Sequence, residues 1–349
     1  MPAVDRTWET IETYNAGIDF ATLNNRLNST FDYFIKDNKN MFYAEEFPTI
    51  LGTSAPSING AHVRTNGWEL TLNWKDKIGK VGYRIGFNLS DNKTKVISLS
   101  DSRNPGRGLM GFVEGYPTNS FFIYEFDGFI KDEADLADYK AKMKGGVPTN
   151  LRVGDAKYID KDGDGVLEPT LYKEGDPNSG DIVYKGTNNQ RYLYGINLGL
   201  DWKGIDVSVF LQGVGKWDCI NGTYAGGGEV WKQSSQYFYH NTWSPDRPNA
   251  EYPRLTQDGG IHGYNYQWSD APYKFFNNRY LRLKEVQIGY TFPTTLTKKI
   301  GVEKLRVYAT GMNLLEWDNL PNGFDPEAPY TENLIPFSRT YSIGVNVQF

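Results

Sequence analysis

The chain has 349 residues, 39% of them hydrophobic and 23% charged, which is enough for one large or two medium domains. Its net charge of -5 gives no reason to expect a nucleic-acid partner. A single cysteine, Cys219, excludes an intrachain disulfide and a cysteine-based metal site. The three histidines have the spacing of neither a metal site nor a catalytic triad, so composition points away from these chemistries.

The mean hydropathy is -0.56, and no stretch approaches the about 18 apolar residues of a membrane-spanning helix. This observation excludes helical spans alone. A membrane β-barrel exposes every second side chain of a strand to lipid, so its mean hydropathy stays low. Aromatic residues make up 15% of the chain, which is a high share. A barrel therefore stays open as a fold class.

Apolar and polar residues alternate along the whole chain, and this alternation predicts β-strands. In WELTLNW (68–74), for example, every second residue is apolar. Several such segments are longer than the five or six residues of an ordinary globular strand. The ten segments lie near 12–23, 26–43, 63–76, 81–99, 119–131, 190–203, 205–218, 279–293, 303–317 and 337–349. The pattern predicts an all-β fold with one short helix over 132–144, where Asp132 is a candidate N-cap.

The two faces of these strands differ in composition. The polar face carries Gly, Asn and other small residues rather than the Lys and Glu of a surface in bulk water, which favours a crowded aqueous lumen. The apolar face carries Trp or Tyr at its ends, as at Trp68, Trp74 and Trp202. Such placement is typical of the aromatic girdles at two membrane interfaces. Aromatic stacking in the core of a soluble sandwich is the alternative.

The connections between the segments alternate in length. Short links lie at 22–25, 76–82 and 203–204, an intermediate one lies at 293–304, and long ones lie at 44–62, after 99, at 219–278 and at 318–336. Tight periplasmic turns opposite long external loops are typical of outer-membrane barrels. We therefore expect 132–189 and 219–278 to be large extracellular loops.

Nine stretches, which follow one another over nearly the whole chain, resemble a single family. They are RLNSTFDYFIKDNKNMF (26–42), VRTNGWELTLNWKDKIGKVGYRIGFNLSDNK (63–93), EGYPTNSFFIYEFDGFIK (114–131), GDAKYIDKDGDGVLE (154–168), RYLYGINLGLDWKGIDVSVFLQGVGKWD (191–218), WSPDRPNAEYPRL (243–255), YLRLKEVQIGYTFP (280–293), KLRVYATGMNLLEW (304–317) and RTYSIGVNVQF (339–349). On these stretches the chain resembles the C-terminal barrel part of the SusC/RagA-type TonB-dependent outer-membrane transporters of Bacteroidetes.

The resemblance implies an antiparallel transmembrane β-barrel of about 22 strands with a plugged lumen. This chain would supply roughly ten of those strands as an open half-barrel sheet with long extracellular loops. The resemblance also implies a multi-pass outer-membrane location and active import of oligosaccharides, or sometimes of peptides. A SusD-like surface lipoprotein and the TonB complex are the implied partners. No cofactor is required, and no His, Ser or Cys constellation predicts catalysis.

The family's signal peptide, TonB box, plug and first half of the barrel have no counterpart in this sequence. We therefore expect the chain to be a fragment that does not transport by itself. An isolated ten-stranded sheet would leave two unpaired edges, which lipid does not tolerate. The terminal strand is accordingly expected to lack a neighbour on its far edge.

The motif DKDGDG at 160–165 follows the opening positions of a Ca²⁺-binding loop, with Gly165 at the sharp turn. The candidate ligands are Asp160, Asp162, Asp164, the carbonyl of Val166 and the carboxylate of Glu168. Carboxylates this close repel one another unless a cation or strong hydrogen bonds compensate their charge. Position 12 is Leu171 instead of a bidentate Glu, so the sequence predicts a structural Ca²⁺ site without a full EF-hand. An Asp- and Gly-rich surface turn is the alternative.

The connection 219–278 is rich in aromatic residues, whose faces bury apolar surface while their polar tips stay wet. The candidates for contact with substrate or with the SusD-like partner are Trp231, Tyr237, Tyr239, Trp243, Tyr266 and Trp268. Packing of the connection on itself is the alternative, and self-packing together with a partner interface is favoured over contact with sugar.

The chain ends in YSIGVNVQF, in which alternate residues are apolar. Those residues are Tyr341, Ile343, Val345, Val347 and Phe349. A terminal strand of this pattern that ends in Phe resembles the signal read by the barrel-assembly machinery. We expect Phe349 to lie at the periplasmic rim, at the end of the last barrel strand.

Two rival architectures fit the same alternation. A complete small barrel, acting as a porin or adhesin, would pair the strand near 12–23 with the terminal strand. A secreted carbohydrate-binding β-sandwich would bury the apolar residues between two packed sheets. An open sheet, a closed cylinder and a double layer therefore distinguish the three possibilities.

Overall fold

The computed structural model describes residues 6–44, 52, 57–100, 105–220, 240–320, 325–327 and 337–349. Its strands are β1 Thr10–Thr22, β2 Leu27–Ala44, β3 Ser57–Ile78, β4 Val81–Leu99, β5 Gly108–Met110, β6 Ser120–Tyr124, β7 Phe126–Phe129, β8 Ala156–Tyr158, β9 Ile182–Thr187, β10 Arg191–Trp202, β11 Ile205–Lys216, β12 Asp218–Ile220, β13 Phe275–Asn277, β14 Tyr280–Thr291, β15 Lys304–Asp318 and β16 Thr340–Gln348. Its helices are α1 Glu133–Lys142, α2 Gly259–Asn265, α3 Thr294–Thr297 and a 3-10 helix, Lys298–Ile300. Over these ranges, none of the helices has the length and apolar character needed to cross a membrane.

Nine strands form one antiparallel sheet in the order β1-β2-β3-β4-β10-β11-β14-β15-β16. The strands are long, since β3 has 22 residues and would extend over about 70 Å. β1 and β16 lie at opposite edges, and within the described ranges each pairs with one neighbour alone. The sheet is open, as predicted. It contradicts the small closed barrel, which requires β1 to pair with β16.

The predicted strand over 119–131 is wrong as a member of this sheet. Its residues form β6 and β7, which belong to a three-stranded sheet, β5-β6-β9, and to a two-stranded sheet, β7-β8. All five residues of β6 are buried. A strand that is buried on both faces lies in a core, whereas a barrel wall needs one apolar and one polar face.

Helices are few, as expected, and α1 lies within the predicted range. Its N-cap is Asp132, whose Oδ1 accepts a hydrogen bond from the main-chain N–H of Asp135 at 2.8 Å. The second helix, α2, is additional to the single predicted helix. It begins after Asp258, which accepts from the N–H groups of Gly260 and Ile261. Short polar caps of this kind supply partners for N–H groups that a helix leaves open.

One face of the nine-stranded sheet, here called the apolar face, carries apolar residues from edge to edge. One row of register partners across it is Ile343, Ala309, Ile288, Val207, Leu200 and Tyr83. Ile343 is 82% exposed and Ile288 is 54% exposed. A β-sandwich would bury these residues against a second sheet, so the structure contradicts that alternative.

A cluster of fifteen buried hydrophobic residues lies outside the large sheet, in two long connections that pack together. Its buried residues are Val113, Phe122, Tyr124, Ile130, Leu136, Tyr139, Met143, Leu151, Ala156, Tyr158, Leu167, Leu171, Ile182, Ile261 and Tyr264. The hydroxyls of Tyr139 and Tyr264 lie 2.9 Å apart, which links one connection to the other. We call this unit, residues 105–190 and 240–278, the loop domain.

The loop domain is attached to the sheet by main-chain hydrogen bonds at the far end of β4. The N–H of Val96 donates to the carbonyl of Tyr116 at 2.9 Å, and the N–H of Thr118 donates to the carbonyl of Thr94 at 3.0 Å. Residues 115–118 thus take the place beside β4 that β10 occupies lower along the strand. The loop domain therefore continues the hydrogen-bonding pattern of the wall.

A two-residue turn, Lys203–Gly204, joins β10 to β11. Both residues have positive φ, 47° and 86°, as the tight turns of right-twisted hairpins require. A Cβ atom on Gly204 would lie 2.6 Å from the carbonyl oxygen of Thr291 in β14. Glycine is therefore required here for its backbone conformation and for the space it leaves.

We expect Gly204→Ala to lower the free energy of unfolding by about 1–3 kcal/mol, since it adds backbone strain and a contact with Thr291. Urea unfolding of the full-length protein measures the change. The matched control is Gly79→Ala, where φ is 60° and a Cβ meets nothing within 4 Å. An equal loss in both variants would show that the contact with Thr291 contributes nothing.

Candidate functional site

The second face of the nine-stranded sheet, here called the polar face, carries amides, glycines and paired charges. Arg84 Nη1 lies 2.7 Å from the carboxylate of Asp201. Arg306 Nε donates to Asp206 Oδ1 at 2.9 Å and thereby crosses the strand between them. The crossing requires a glycine at Gly289, because a Cβ there would lie 2.5 Å from the Arg306 guanidinium. These two arginines are thus neutralised by carboxylates of the same sheet.

A groove of about 590 Å³ runs along the polar face. Six consecutive strands of the sheet line it, each with at least one residue: Asn28, Asn73, Gly86, Asn197, Ser208 and Glu285. A flat sheet encloses no groove across six strands, so the sheet must curve toward its polar face. The polar face is concave and the apolar face is convex.

A buried ion cluster lies at the long-connection end of the polar face. Arg282, which is 1% exposed, is the register partner of Gln212. Its Nη1 lies 2.5 Å from Glu327 and its Nη2 lies 2.6 Å from Asp325. Residues 325–327 belong to the long connection 318–336, so part of that connection turns back onto the polar face. The sequence shows no motif for this contact.

The acidic loop at 160–168 brings three of its predicted ligands together. The carboxylate oxygens of Asp160, Asp162 and Asp164 lie within 4.8 Å of one another. The loop is held by its own main chain, since Gly163 and Gly165 each donate an N–H to Asp160 at 2.8 Å. Such a set of three carboxylates attracts a hard cation with oxygen ligands.

The later positions of the acidic loop behave differently. Val166 donates its N–H to Asp164 Oδ1 at 2.6 Å. Glu168 is exposed, and its carboxylate is not part of the cluster. Leu171, at position 12, is buried in the core of the loop domain. The side chain at position 12 is therefore occupied with packing in that core.

Asp181 connects the two ends of the acidic loop, and no sequence motif marks this residue. Its side chain is fully buried and accepts the N–H of Lys161 at 2.5 Å and that of Glu168 at 2.7 Å. Burial raises the pKa of Asp181 to about 6, against these N–H donors, which lower it. The nearby carboxylates of Asp162 and Asp160 raise this pKa further.

The predicted aromatic contacts divide into two groups. Trp231, Tyr237 and Tyr239 lie outside the described residues. Tyr266 is buried, with its ring 4.7 Å from that of His262. Trp243 packs over Gly154, and Trp268 packs 6.4 Å from the ring of Phe121. The three described aromatics therefore contribute to packing within the loop domain, and Trp243 and Trp268 remain half-buried at its surface.

The terminal strand places its five predicted residues on or beside the apolar face. Val345 is the register partner of Val307, and Val347 that of Leu305. Tyr341 and Phe349 are 75% and 88% exposed. The strand thus presents an apolar row to the outside of the curved sheet.

Comparison with known proteins gives relatives of one kind. No model of a known protein family matches the chain. The chain is 26% identical over 369 residues to TonB-dependent receptor P3 of Formosa agariphila, covering 98% of the chain and 34% of that receptor. It is 24% identical over 367 residues to TonB-dependent receptor SusC of Bacteroides thetaiotaomicron, covering 98% of the chain and 32% of SusC.

The RagAB peptide transporter has the same fold, with a TM-score of 0.75 at 22% identity over 100% of this chain and 36% of that one. The chain spans about a third of the length of the curated relatives it matches. These comparisons confirm the resemblance to the SusC/RagA-type TonB-dependent receptors. They also confirm the antiparallel barrel fold, which the chain forms here as an open sheet.

We expect Asp181→Asn to destabilise the loop domain by about 1–3 kcal/mol, because it leaves a buried N–H donor facing an amide N–H₂. Hydrogen exchange at the amides of Lys161 and Glu168 measures the loss. The control is Asp176→Asn, which removes a carboxylate that accepts the N–H of Asn178 at an exposed turn. Water can replace that acceptor, so a similar loss in both variants would contradict the role given to Asp181.

Proposed function

We propose that this chain, a relative of the SusC-type TonB-dependent receptors, forms part of the wall of an outer-membrane β-barrel that imports nutrients. The observation that carries the proposal is the presence of two opposite faces on one curved, open sheet. Lipid is the partner that suits a convex apolar face nine strands wide. The concave polar face suits an aqueous or plugged lumen.

The remaining strands of the barrel are proposed to come from the rest of a longer receptor. Both edges of the described sheet have open main-chain groups. Such groups are costly in lipid, where no water satisfies them. The relatives are about three times as long as the matched region, which leaves ample chain for further strands and a plug.

Oligosaccharides are the proposed substrates. Amide and hydroxyl side chains line the groove, among them Asn73, Asn197 and Ser208. Such groups donate to and accept from sugar hydroxyls. Because Arg84 is paired with Asp201, its positive charge is neutralised where it lines the groove. Peptides are the second candidate, since the solved RagAB structures are described as those of a peptide transporter.

A SusD-like surface lipoprotein is the proposed partner on the loop domain, and the TonB complex is the proposed energy source. The half-buried Trp243 and Trp268 support a partner interface, where aromatic residues are enriched. The barrel-assembly machinery is proposed to read the terminal strand, whose alternate residues from Tyr341 to Phe349 are exposed. The proposed role includes no catalysis.

We also propose a structural Ca²⁺ at the acidic loop, with Asp160, Asp162 and Asp164 as ligands. The carbonyl of Val166 and the carboxylate of Glu168 would complete the set after a small change at Glu168. The three clustered carboxylates support this proposal, because their mutual repulsion falls when a cation binds. The ion would stiffen the connection that joins β8 to β9.

We expect Leu70→Arg to lower the free energy of unfolding in the membrane by about 2–4 kcal/mol, because an arginine would then face lipid. Leu70 lies on the apolar face between the register partners Phe31 and Leu89. The matched control is Thr71→Arg, one residue along and on the polar face. Heat-modifiability of the full-length receptor in outer membranes measures folding, and uptake of labelled oligosaccharides or peptides measures transport.

Loss of folding and uptake with Leu70→Arg alone supports the orientation of the sheet. If Thr71→Arg were the more damaging variant, lipid would contact the polar face, and the proposed orientation of the sheet would be wrong. Uptake of labelled peptides in place of oligosaccharides would assign the second substrate class.

We expect the Kd for Ca²⁺ to be at least about tenfold lower for the wild-type receptor than for the variant Asp162→Asn/Asp164→Asn. The variant lacks two of the proposed ligand charges. The Asn side chains keep an oxygen for the N–H groups of the loop. Isothermal calorimetry with CaCl₂ measures both affinities. The control is Asp127→Asn/Asp138→Asn, which removes two exposed carboxylates outside the cluster. Identical isotherms for all three proteins would show that the acidic loop is not the calcium site.

A further inference from the structure

The apolar face changes character abruptly at the long-connection end of β3 and β4. Leu70 and Leu89 are register partners on that face, and the next pair in the same direction is Trp68 with Asp91. Alternate residues of a strand share a face, so the following pairs lie there too. They are Asn66 with Lys93 and Arg64 with Lys95. One aromatic residue thus separates the apolar band from a row of cations.

The carboxylates of this patch are already engaged. Asp37 accepts from Arg64 Nε and Nη2, each at 2.9 Å, and lies 2.7 Å from His62 Nε2. Asp91 is bound by the guanidinium of Arg191. Each carboxylate therefore has its own arginine, and neither is available to a lysine.

Lys93 and Lys95 are exposed, and no carboxylate pairs with them in the part of the chain that the structure describes. Lys95 lies directly opposite Arg64 across the strand pair, and like charges in that arrangement repel. The cations Arg64, Arg191, Lys93 and Lys95, set against two carboxylates, leave a net charge of +2. The patch therefore attracts an anion.

We propose that Lys93 and Lys95 bind the phosphate of an anionic lipid headgroup. The inference rests on the proposed function, which places the apolar face in a bilayer. Charges just beyond an aromatic residue such as Trp68 then lie at headgroup depth. The occupant is a lipid because the cations and the apolar residues below them share one face, so that one molecule reaches both. The phosphate contacts the ammonium groups, and its acyl chains cover Leu70 and Leu89.

The test uses the full-length receptor, stripped of lipid in detergent and reconstituted into vesicles. One set of vesicles is phosphatidylcholine alone and the other is phosphatidylcholine with monophosphoryl lipid A. A lysine near an anionic surface strengthens binding about fivefold. Lys93→Gln/Lys95→Gln is therefore expected to retain about thirtyfold less lipid A on repurification, measured by mass spectrometry.

The matched control is Lys298→Gln/Lys299→Gln, which removes two exposed lysines at the opposite end of the strands. It is expected to retain lipid A at the wild-type level, and phosphatidylcholine is expected to be equal in all three proteins. Equal lipid A in all three, with insertion intact, would overturn the headgroup site and leave the membrane placement standing. Failure of the wild type to insert into either vesicle would overturn the proposed function and this inference with it.

A third experiment, with inorganic phosphate, distinguishes a lipid headgroup from a free anion. The wild type is expected to release little lipid A into a phosphate buffer, because free phosphate lacks the acyl chains. Complete release, together with binding of free phosphate that Lys93→Gln/Lys95→Gln loses, would identify a soluble-anion site and refute the lipid assignment.

Discussion

Main-chain hydrogen bonding between long antiparallel strands is the constraint on which the rest of this structure depends. It fixes which residues stand side by side, and a slip of one residue would move every side chain to the other face. The tight turn at Lys203–Gly204 and the short link at Gly79 hold that register. Because the register is kept, the row from Ile343 to Tyr83 stays apolar across six neighbouring strands. The opposite rows can then pair Arg84 with Asp201.

The large sheet and the loop domain are stabilised in different ways. In the described part of the chain no second sheet packs on either face of the large sheet, which depends on its hydrogen-bonded ladder. The loop domain carries its own core, in which Tyr158 donates to the carbonyl of Tyr264 across two connections. Leu171 belongs to that core, and the buried Asp181 holds both ends of the acidic loop by accepting the N–H groups of Lys161 and Glu168. Sequence segments that look like separate surface loops are in fact one folded unit.

The alternation of apolar and polar residues was sufficient to predict the nine strands of the large sheet. A strand with one apolar and one polar face has an apolar residue at every second position. It failed over 119–131, where Phe121, Phe122 and Ile123 are consecutive and all buried. The clustering of Asp160, Asp162 and Asp164 was predictable because these residues are close in sequence. Asp181 and the Arg282 cluster were not, since each depends on residues that only the fold brings together. Such contacts carry no spacing rule, so a single sequence gives no signal for them.

The far end of β4 has a mechanical consequence. Its main chain is bonded to β3 on one side and to residues 115–118 of the loop domain on the other. A rigid β-ribbon, and not a slack tether, therefore connects the domain to the wall. Any tilt of the loop domain against the sheet must bend or shear that ribbon. Such a tilt therefore strains the hydrogen bonds between β4 and β10, which begin where the ribbon ends. A force on the loop domain is therefore transmitted to the sheet through main-chain hydrogen bonds.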